Sequence, residues 1–461
     1  MQKLVPQIGL KSAIFIVISV IVGSGVFKKI APMSAELGSP VLVILCWVLA
    51  GLISLAGALS TAELASMYPD SGGEYVYYQK IYGRFFAFLF GWANFAVLQT
   101  AAIAALAYIF AESLIGIFPV SGIETALSVK LVASLLIVAL TWMNYKGVTF
   151  AENVNRILTY TMLSGVILFI VAGLLSNQGS IHHLVQKSSN FSPKKLEGWN
   201  ILKAMTVASL GAFWGYQGWN NVGFIGEEIK NPKRNLPLAL GVGTIIVMLI
   251  YISLNVIFTY VLPIDYFIRL NQMPDKIAAV EVATHIMGKA GMLFVSCLIL
   301  VTTLNSTNSS ILTSARMFYA MARDRLFFKK AALVHPKYKT PGVALVLQGI
   351  WSVLLVWSGN FDQLTDMLIF ASFLYYGSTA LGVIIMRIRH PEAERKYKVI
   401  GYPFVPALFS AFCIWLFVVT IINQPYESIR GLLLIAIGIP FYWLFSKKKT
   451  GISDPDEITV S

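Results

Sequence analysis

Charge is what this sequence has least of. Only 12% of its 461 residues are Asp, Glu, Lys or Arg, about half the share that keeps a soluble domain's surface hydrated. With 57% hydrophobic residues and a mean hydropathy of +0.72, a soluble multidomain protein is excluded. Cysteine is nearly missing. Cys46, Cys297 and Cys413 all lie inside apolar runs, where a free thiol behaves as a small hydrophobe. That excludes a disulfide scaffold and a cysteine-built metal site. His182 and His183 form a lone pair, short of the ligands a metal needs, so no metal and no cofactor are expected.

What the sequence has instead is long apolar runs. Twelve uncharged stretches divide the chain: Ser12–Phe27, Val41–Ala62, Phe85–Ala111, Leu131–Tyr145, Ile157–Leu175, Ala204–Gly226, Asn235–Ile264, Ala290–Ala315, Gly342–Phe361, Met367–Met386, Val399–Tyr426 and Gly431–Ser446. A bilayer core of about 30 Å needs roughly 20 apolar residues in a helix. Most runs reach that length; the first, fourth and last are helped by Lys28, Lys130 and Lys447, which snorkel to the interface. The expected fold class is an all-α polytopic membrane protein with twelve transmembrane helices. Met1–Lys11 leads directly into a full span, so no cleaved signal peptide is expected.

Lysine and arginine orient the chain. An even number of spans leaves both termini on one side, and the loops of that side hold 24 of the 35 Lys and Arg. Asp and Glu split 12 to 10, so nearly all of the net +13 reads as a topology signal. Both termini are expected in the cytoplasm, residues 447–461 as a tail, with the protein integral to the cell membrane. The bases are scattered over short loops, which argues against a nucleic-acid partner and leaves membrane lipid as the expected contact.

Two spans are interrupted in the same way. The first holds Gly23-Ser24-Gly25; the sixth holds Gly211 and then Trp214-Gly215-Tyr216-Gln217-Gly218-Trp219-Asn220. Glycine costs about 1 kcal/mol relative to alanine inside a helix, so these clusters predict breaks near 23–25 and 214–218. Each run opens a block of five spans, residues 1–175 and 200–386, and the odd block size inverts the second block in the membrane. Residues 399–446 add two more helices. Paired broken helices in inverted halves point to the binding site of a secondary transporter. Close helix packing is the other reading of such glycines.

A break frees backbone groups at membrane depth, where they persist only beside a cavity or a ligand. The second half of span one starts near Gly25. Its free N–H groups, at Gly25 and Val26, form an anion site with the Ser24 hydroxyl, suited to a carboxylate. The first halves of spans one and six end near Val22 and Trp214, and their carbonyls suit an ammonium group. Together these ends recognise an α-amino acid without a charged side chain. The central parts of the spans accordingly lack Asp, Glu, Lys and Arg, unlike most ion channels and proton pumps. No nucleophile, base or metal cluster marks an enzyme. Ser71-Gly72-Gly73-Glu74 reads as a cytoplasmic turn, and Tyr75, Tyr77, Tyr78 and Tyr82 after it suit the headgroup region.

These residues carry a resemblance. Ile21-Val22-Gly23-Ser24-Gly25-Val26-Phe27 resembles the first-helix motif of the amino acid–polyamine–organocation transporter superfamily. Gly215-Tyr216-Gln217-Gly218-Trp219-Asn220, continuing through Glu227-Glu228-Ile229-Lys230-Asn231-Pro232-Lys233-Arg234-Asn235-Leu236-Pro237, is similar to its L-amino acid transporter family, bacterial type. Ser306-Thr307-Asn308-Ser309-Ser310, Thr313-Ser314-Ala315-Arg316 and Arg389-His390-Pro391-Glu392-Ala393-Glu394-Arg395 resemble that family's eighth helix and the loop after its tenth. The resemblance spans essentially the whole chain. It implies a LeuT-like fold, a five-plus-five inverted repeat followed by two extra C-terminal helices. It also implies a carboxylate site at Gly23, Ser24, Gly25 and Val26, with Val22, Trp214 and Gly215 around the ammonium. Trp214 would close over the substrate, Asn220 stand behind the sixth-helix break, Ser306 near the cavity, and Phe370 and Phe373 limit side-chain room. Trp214, Phe370 and Phe373 also read as packing aromatics, and Glu227 to Arg234 as a solvated loop.

Three departures from the family matter. Gln217 stands where many relatives carry a small residue or Asp, and an amide adds no counter-charge for a cationic substrate. Glu112–Lys130 holds no Cys, so no disulfide-linked heavy-chain partner is expected. Met162 stands where many sodium-independent members carry a fifth-helix lysine; Lys146, sixteen residues earlier, lies about 24 Å away along a helix. Met162, Thr302, Thr303 and Ser306 are therefore the candidate coupling residues. The expected activity is alternating-access transport of neutral L-amino acids, as an exchanger, and no enzyme reaction. A proton- or sodium-coupled importer is the alternative, with a substrate-gated channel or a non-transporting sensor further off.

Overall fold

The computed structural model describes residues 4–119, 122–189, 191, 198–273, 276–359, 361–423 and 425–446; the tail expected at 447–461 lies outside them. Among the described residues the regular structure is helical, with only isolated bridges at Ile8–Ile229 and Ser71–Ile225. Ten helices there are long and apolar enough to cross a membrane. Two shorter ones complete the set of twelve: Trp199–Gly215, which is span six up to its break, and Gly342–Ser358, span nine. Span one is Leu10–Ile21 plus Gly25–Lys28, span two Pro40–Met67, and span three Arg84–Ala93 continued by Gln99–Ile117. Spans four and five are Thr125–Tyr145 and Val148–Leu174. Span seven is Pro232–Val261, span eight belongs to Ala278–Arg323, and span ten is Phe361–Arg389. Span eleven is Phe404–Asn423, and span twelve combines Pro425–Ala436 and Gly438–Ser446.

Local chemistry sets the boundaries. Pro40 and Pro232 sit in the first turn of their helices, where the missing N–H has no intrahelical partner to lose. Gly38, at φ +55°, ends the helix Ile30–Leu37 and donates its N–H to the Ser34 carbonyl at 2.9 Å, a left-handed stop that glycine adopts without strain. Gly288, at φ +60°, interrupts Ala278–Arg323 before span eight proper begins.

Burial ranks the spans from centre to rim. The apolar segment of span one is 83% buried, that of span twelve only 22%. Span one packs on spans five, seven and eight, and span three on span eight. Spans four, five and eleven turn Leu135, Leu168, Leu408 and Ile422 outward, a surface that water would not tolerate but lipid does.

The face carrying the N-terminus is locked by buried charge. Arg316 of span eight, fully buried, donates from Nε to Glu228 Oε1 at 2.6 Å and from Nη2 to Oε2 at 3.3 Å. Its Nη1 donates to the Leu312 carbonyl at 2.6 Å. The Glu228 carbonyl in turn accepts the N–H groups of Gln7 and Ile8 at 2.8 and 2.9 Å. The segment from Glu227 to Arg234 is thus no solvated loop at Glu228; it joins the N-terminal strap to span eight. Nearby, Arg387 grips buried Glu63 with two bonds of 2.8 and 2.7 Å, and the Val399 N–H adds a third at 2.7 Å. Of the four tyrosines expected in the headgroup region, Tyr75, Tyr77 and Tyr78 on the short helix Glu74–Tyr82 are buried instead and Tyr82 is half-buried, because this helix packs under span ten and the sixth-span break.

Removing one member of a buried ion pair leaves an uncompensated charge, at a cost of about 3–5 kcal/mol. Arg316→Met should therefore lower the melting temperature in detergent markedly, and Arg316→Met with Glu228→Leu should recover most of the loss. A melting curve unchanged in the single variant would show that this pair does not hold the face together.

Candidate functional site

The two breaks meet at the centre of the bundle. Leu10–Ile21 stops at Val22, whose ψ of 85° leaves the helical region, and a new helix starts at Gly25. Trp199–Gly215 stops one residue before Tyr216, and a 3-10 turn restarts at Trp219 after Gly218 at φ +97°. The contact between the breaks requires glycine. A Cβ on Gly25 would lie 2.7 Å from the Gly215 Cα and 3.1 Å from Trp214 Cδ1. Tyr251 of span seven ties the two helix ends together, its hydroxyl 2.9 Å from both the Ile21 and the Gly215 carbonyl.

A cavity with about 640 Å³ of atom-free space opens beside the breaks. Ile21, Gly23, Ser24, Gly25, Trp214 and Gln217 line one side of it, with Asn220 and Ser306 beyond. Ser24 is 2% exposed and its hydroxyl has no partner. It stands at the start of the second half of span one, where the first backbone N–H groups also lack intrahelical acceptors. A buried unpaired donor at such a place is what a carboxylate completes. On the other side, the Gly215 carbonyl held by Tyr251 keeps a second lone pair for an ammonium group, whereas the Ile21 carbonyl also accepts the Gly23 N–H at 2.9 Å.

Not every expected site residue reaches the cavity. Val22 and Val26 are fully buried and outside its lining, as is Gly215, which acts through its contact with Gly25 and its carbonyl. Phe373 lies beyond span six, edge-on to Phe213 at 5.4 Å, around a separate small void. The Phe370 side chain lies outside the described residues. Ser306 donates to the Val20 carbonyl at 2.9 Å, just below the break. Thr302 and Thr303 turn their hydroxyls back on the Ile299 carbonyl at 2.9 and 2.7 Å, and Met162 is fully buried; none of these three lines the cavity.

The structure adds residues that sequence reasoning missed. Gln99 and Asn221 exchange two amide hydrogen bonds of 3.0 Å across the cavity wall. Gln99 follows a π-helical turn, Asn94–Leu98, in span three. Gln217 donates to Ser372 Oγ at 2.5 Å, and Tyr376 donates to Asn220 Oδ1 at 3.1 Å. Glu74 is the largest departure. The supposed turn residue is 1% exposed, lines the cavity, and accepts from Asn220 Nδ2 through Oε2. It lies on the short helix between spans two and three, and burial pushes its carboxyl up to about 7, against the pull of Asn220 and Thr379. The cavity wall is therefore not free of ionisable side chains. Amides at Asn94 and Gln99 inside an otherwise apolar run were the available signal for span three; nothing local in Ser-Gly-Gly-Glu marks Glu74 as buried.

Toward the N-terminal face, Asn155 of span five knots three spans. Its Nδ2 reaches Ser19 Oγ at 2.8 Å, Asn305 Oδ1 at 3.0 Å and Ser309 Oγ. Asn305 donates onward to Thr159 Oγ1 at 2.9 Å. Spans one, five and eight are thus joined through neutral amides and hydroxyls rather than by an ion pair.

Comparison with known proteins places these features in a context. The sequence pattern of the amino acid permease family matches residues 8–445. The chain is 31% identical over 452 residues to the mouse b(0,+)-type amino acid transporter 1, covering 96% of this chain and 89% of that one. It is 30% identical over 448 residues to the serine/threonine exchanger SteT of Bacillus subtilis, covering 96% and 97%. The human cystine/glutamate transporter is 26% identical over 444 residues, covering 95% and 85%.

Two substitutions test the breaks. Gly25→Ala puts its methyl into the Gly215 backbone and should abolish uptake in proteoliposomes while the purified protein stays monodisperse; Gly25→Leu should do no better. Ser24→Ala removes one donor to a charged group, worth about 1.5–3 kcal/mol, and should weaken substrate binding by roughly tenfold or more. Uptake near wild type in Gly25→Ala would remove this site assignment.

Proposed function

The chain belongs to the amino acid permease family, and from that premise we propose that it moves neutral L-amino acids across a cell membrane by alternating access, as an exchanger. One observation carries the reading. A Ser24 hydroxyl at a helix start, buried and without a partner among the described residues, faces the same cavity as the C-terminal ends of two interrupted helices, at Ile21 and Trp214, with the Gly215 carbonyl behind them. These are complementary to the carboxylate and ammonium that every α-amino acid carries. The names of the relatives range over serine, threonine, cystine and glutamate, so family alone leaves the side chain open. Here the amides of Gln217, Gln99 and Asn221 offer hydrogen bonds without charge, and a charged side chain left unpaired among them would be disfavoured by several kcal/mol.

The wider arrangement follows the same reading. Residues 1–175 and 200–386 form the two inverted repeats, each opened by its broken helix, with residues 399–446 as additional helices at the rim. Both termini lie in the cytoplasm, so the Arg316–Glu228 lock and its strap close the cytoplasmic side. The protein works without a disulfide-linked partner. Sodium is not required: Thr302 and Thr303 spend their hydroxyls on their own helix, and no carboxylate among the described residues lines the cavity beside Ser306 apart from Glu74.

Counterflow in proteoliposomes tests the exchange. Internal unlabelled alanine, serine or leucine should accelerate uptake of the labelled amino acid, and non-saturating, voltage-driven current would instead mark a channel. In competition, lysine and glutamate should be weaker than those three; equal competition would overturn the neutral preference. Replacing sodium by choline at fixed pH should leave uptake within about twofold, whereas a tenfold fall would favour a sodium-coupled importer.

A further inference from the structure

Glu74 has no place in the recognition of a zwitterion by helix ends, yet it is the one carboxylate among the described residues that lines the cavity. Its two oxygens differ. Oε2 is held by the Asn220 amide, while Oε1 is buried, makes no hydrogen bond of ordinary geometry among the described residues and has the Thr379 hydroxyl as its polar neighbour. The groups facing it are neutral: Tyr77 and Tyr78 on its own helix, Tyr376 and Thr379 on span ten, and Asn220 beyond the sixth-span break. Asp70, in the preceding turn, acts on Tyr77. The nearby charged pair is engaged elsewhere, with Arg84 donating to the Asp324 carbonyl at 2.6 Å and Tyr75 to the Asp324 carboxylate at 2.8 Å. No cation among the described residues offsets the burial of Glu74, which pushes its carboxyl up from the ordinary acid range to about 7.

We propose that Glu74 is a proton-binding site in the wall of the substrate cavity, and that its protonation favours the binding of a neutral amino acid. The inference rests on the transport reading above and deepens it. A proton added at Oε1 converts the carboxylate to a neutral carboxylic acid and leaves the Asn220 bond on Oε2 in place. That bond matters because Asn220 is itself held by Tyr376 and stands at the cavity edge. A neutral side chain filling the cavity makes the surroundings of Glu74 less polar, which disfavours the charged form further. Substrate binding therefore raises the proton affinity of Glu74, and by linkage the proton raises substrate affinity to the same extent.

The sign is fixed by that direction. Affinity is greatest below the midpoint of the free protein, falls as pH rises through it, and levels off above the higher midpoint of the complex. A midpoint difference of one pH unit corresponds to a tenfold change in affinity. Equilibrium binding of labelled alanine, serine and leucine to the purified protein, from about pH 6 to about pH 9, reads it directly. Affinity should be about tenfold weaker at the alkaline end. Glu74→Gln should remove the pH dependence, and Glu74→Asp should keep it with a displaced midpoint, which a purely structural role would not produce. In weak buffer at about pH 8, adding a binding amino acid to the wild type should draw protons from solution, read by a pH dye. This last measurement, with Glu74→Asp, decides the matter if Glu74→Gln does not fold. Wild-type binding that is flat with pH, or a pH dependence that survives Glu74→Gln, overturns the proposal alone. Failure of all three amino acids to bind at any pH overturns the transport reading beneath it.

Discussion

At membrane depth every backbone N–H and C=O must find a partner inside the protein or in a ligand. That constraint explains why the centre of this molecule looks as it does. Spans one and six both stop and restart there, and the groups they release are accounted for one by one. Ser306 donates to the Val20 carbonyl and the Gly23 N–H to that of Ile21, and the single Tyr251 hydroxyl is shared between those of Ile21 and Gly215. The start of the second half of span one is left with donors to spare. On the proposed reading an amino acid's own charges complete these helix ends, and recognition moves from side chains, which vary, to backbone groups.

The same constraint orders the surroundings. Gly25 and Gly215 allow two backbones to touch, so the two breaks form one site rather than two. Around them the polar groups are chiefly neutral and mutually satisfied: the Gln99–Asn221 pair, the Gln217–Ser372 bond, the Asn155 knot between spans one, five and eight. The buried ion pairs Arg316–Glu228 and Arg387–Glu63 lie instead at the N-terminal face. Neutral contacts can exchange partners during a conformational change at less cost than a buried ion pair. On the proposed reading, ion pairs at the N-terminal face and amides beside the cavity suit a protein in which one face opens while the site persists.

Much of this was legible in the chain itself. Charge-poor runs mark the spans because lipid excludes charge, and glycine clusters mark both breaks because a continuous helix disfavours them. What escaped was long-range. Glu74 reads locally as a turn residue, and only the packing of Glu74–Tyr82 under span ten and the sixth-span break carries it into the cavity. Tyr251 sits in an unremarkable apolar run until span seven brings it to both helix ends. Glu228 looks solvated beside Glu227, yet one is buried against Arg316 and the other pairs with the more exposed Arg323. Phe373 is aromatic and close in sequence to Ser372 and Tyr376, but it points to the far side of span six. Helical phase, which sequence spacing gives only to within part of a turn, separates lining residues from their neighbours.

The central claim is that helix ends, not charged side chains, hold the substrate's amino and carboxylate groups. A structure with a neutral amino acid bound tests it most directly. The carboxylate should lie within about 3 Å of the Ser24 hydroxyl and the first N–H groups after the break, and the ammonium should lie against the carbonyl ends of the first halves of spans one and six. An amino acid seated elsewhere, with both helix ends unoccupied, or one whose ammonium is held by Glu74 instead, would contradict the account.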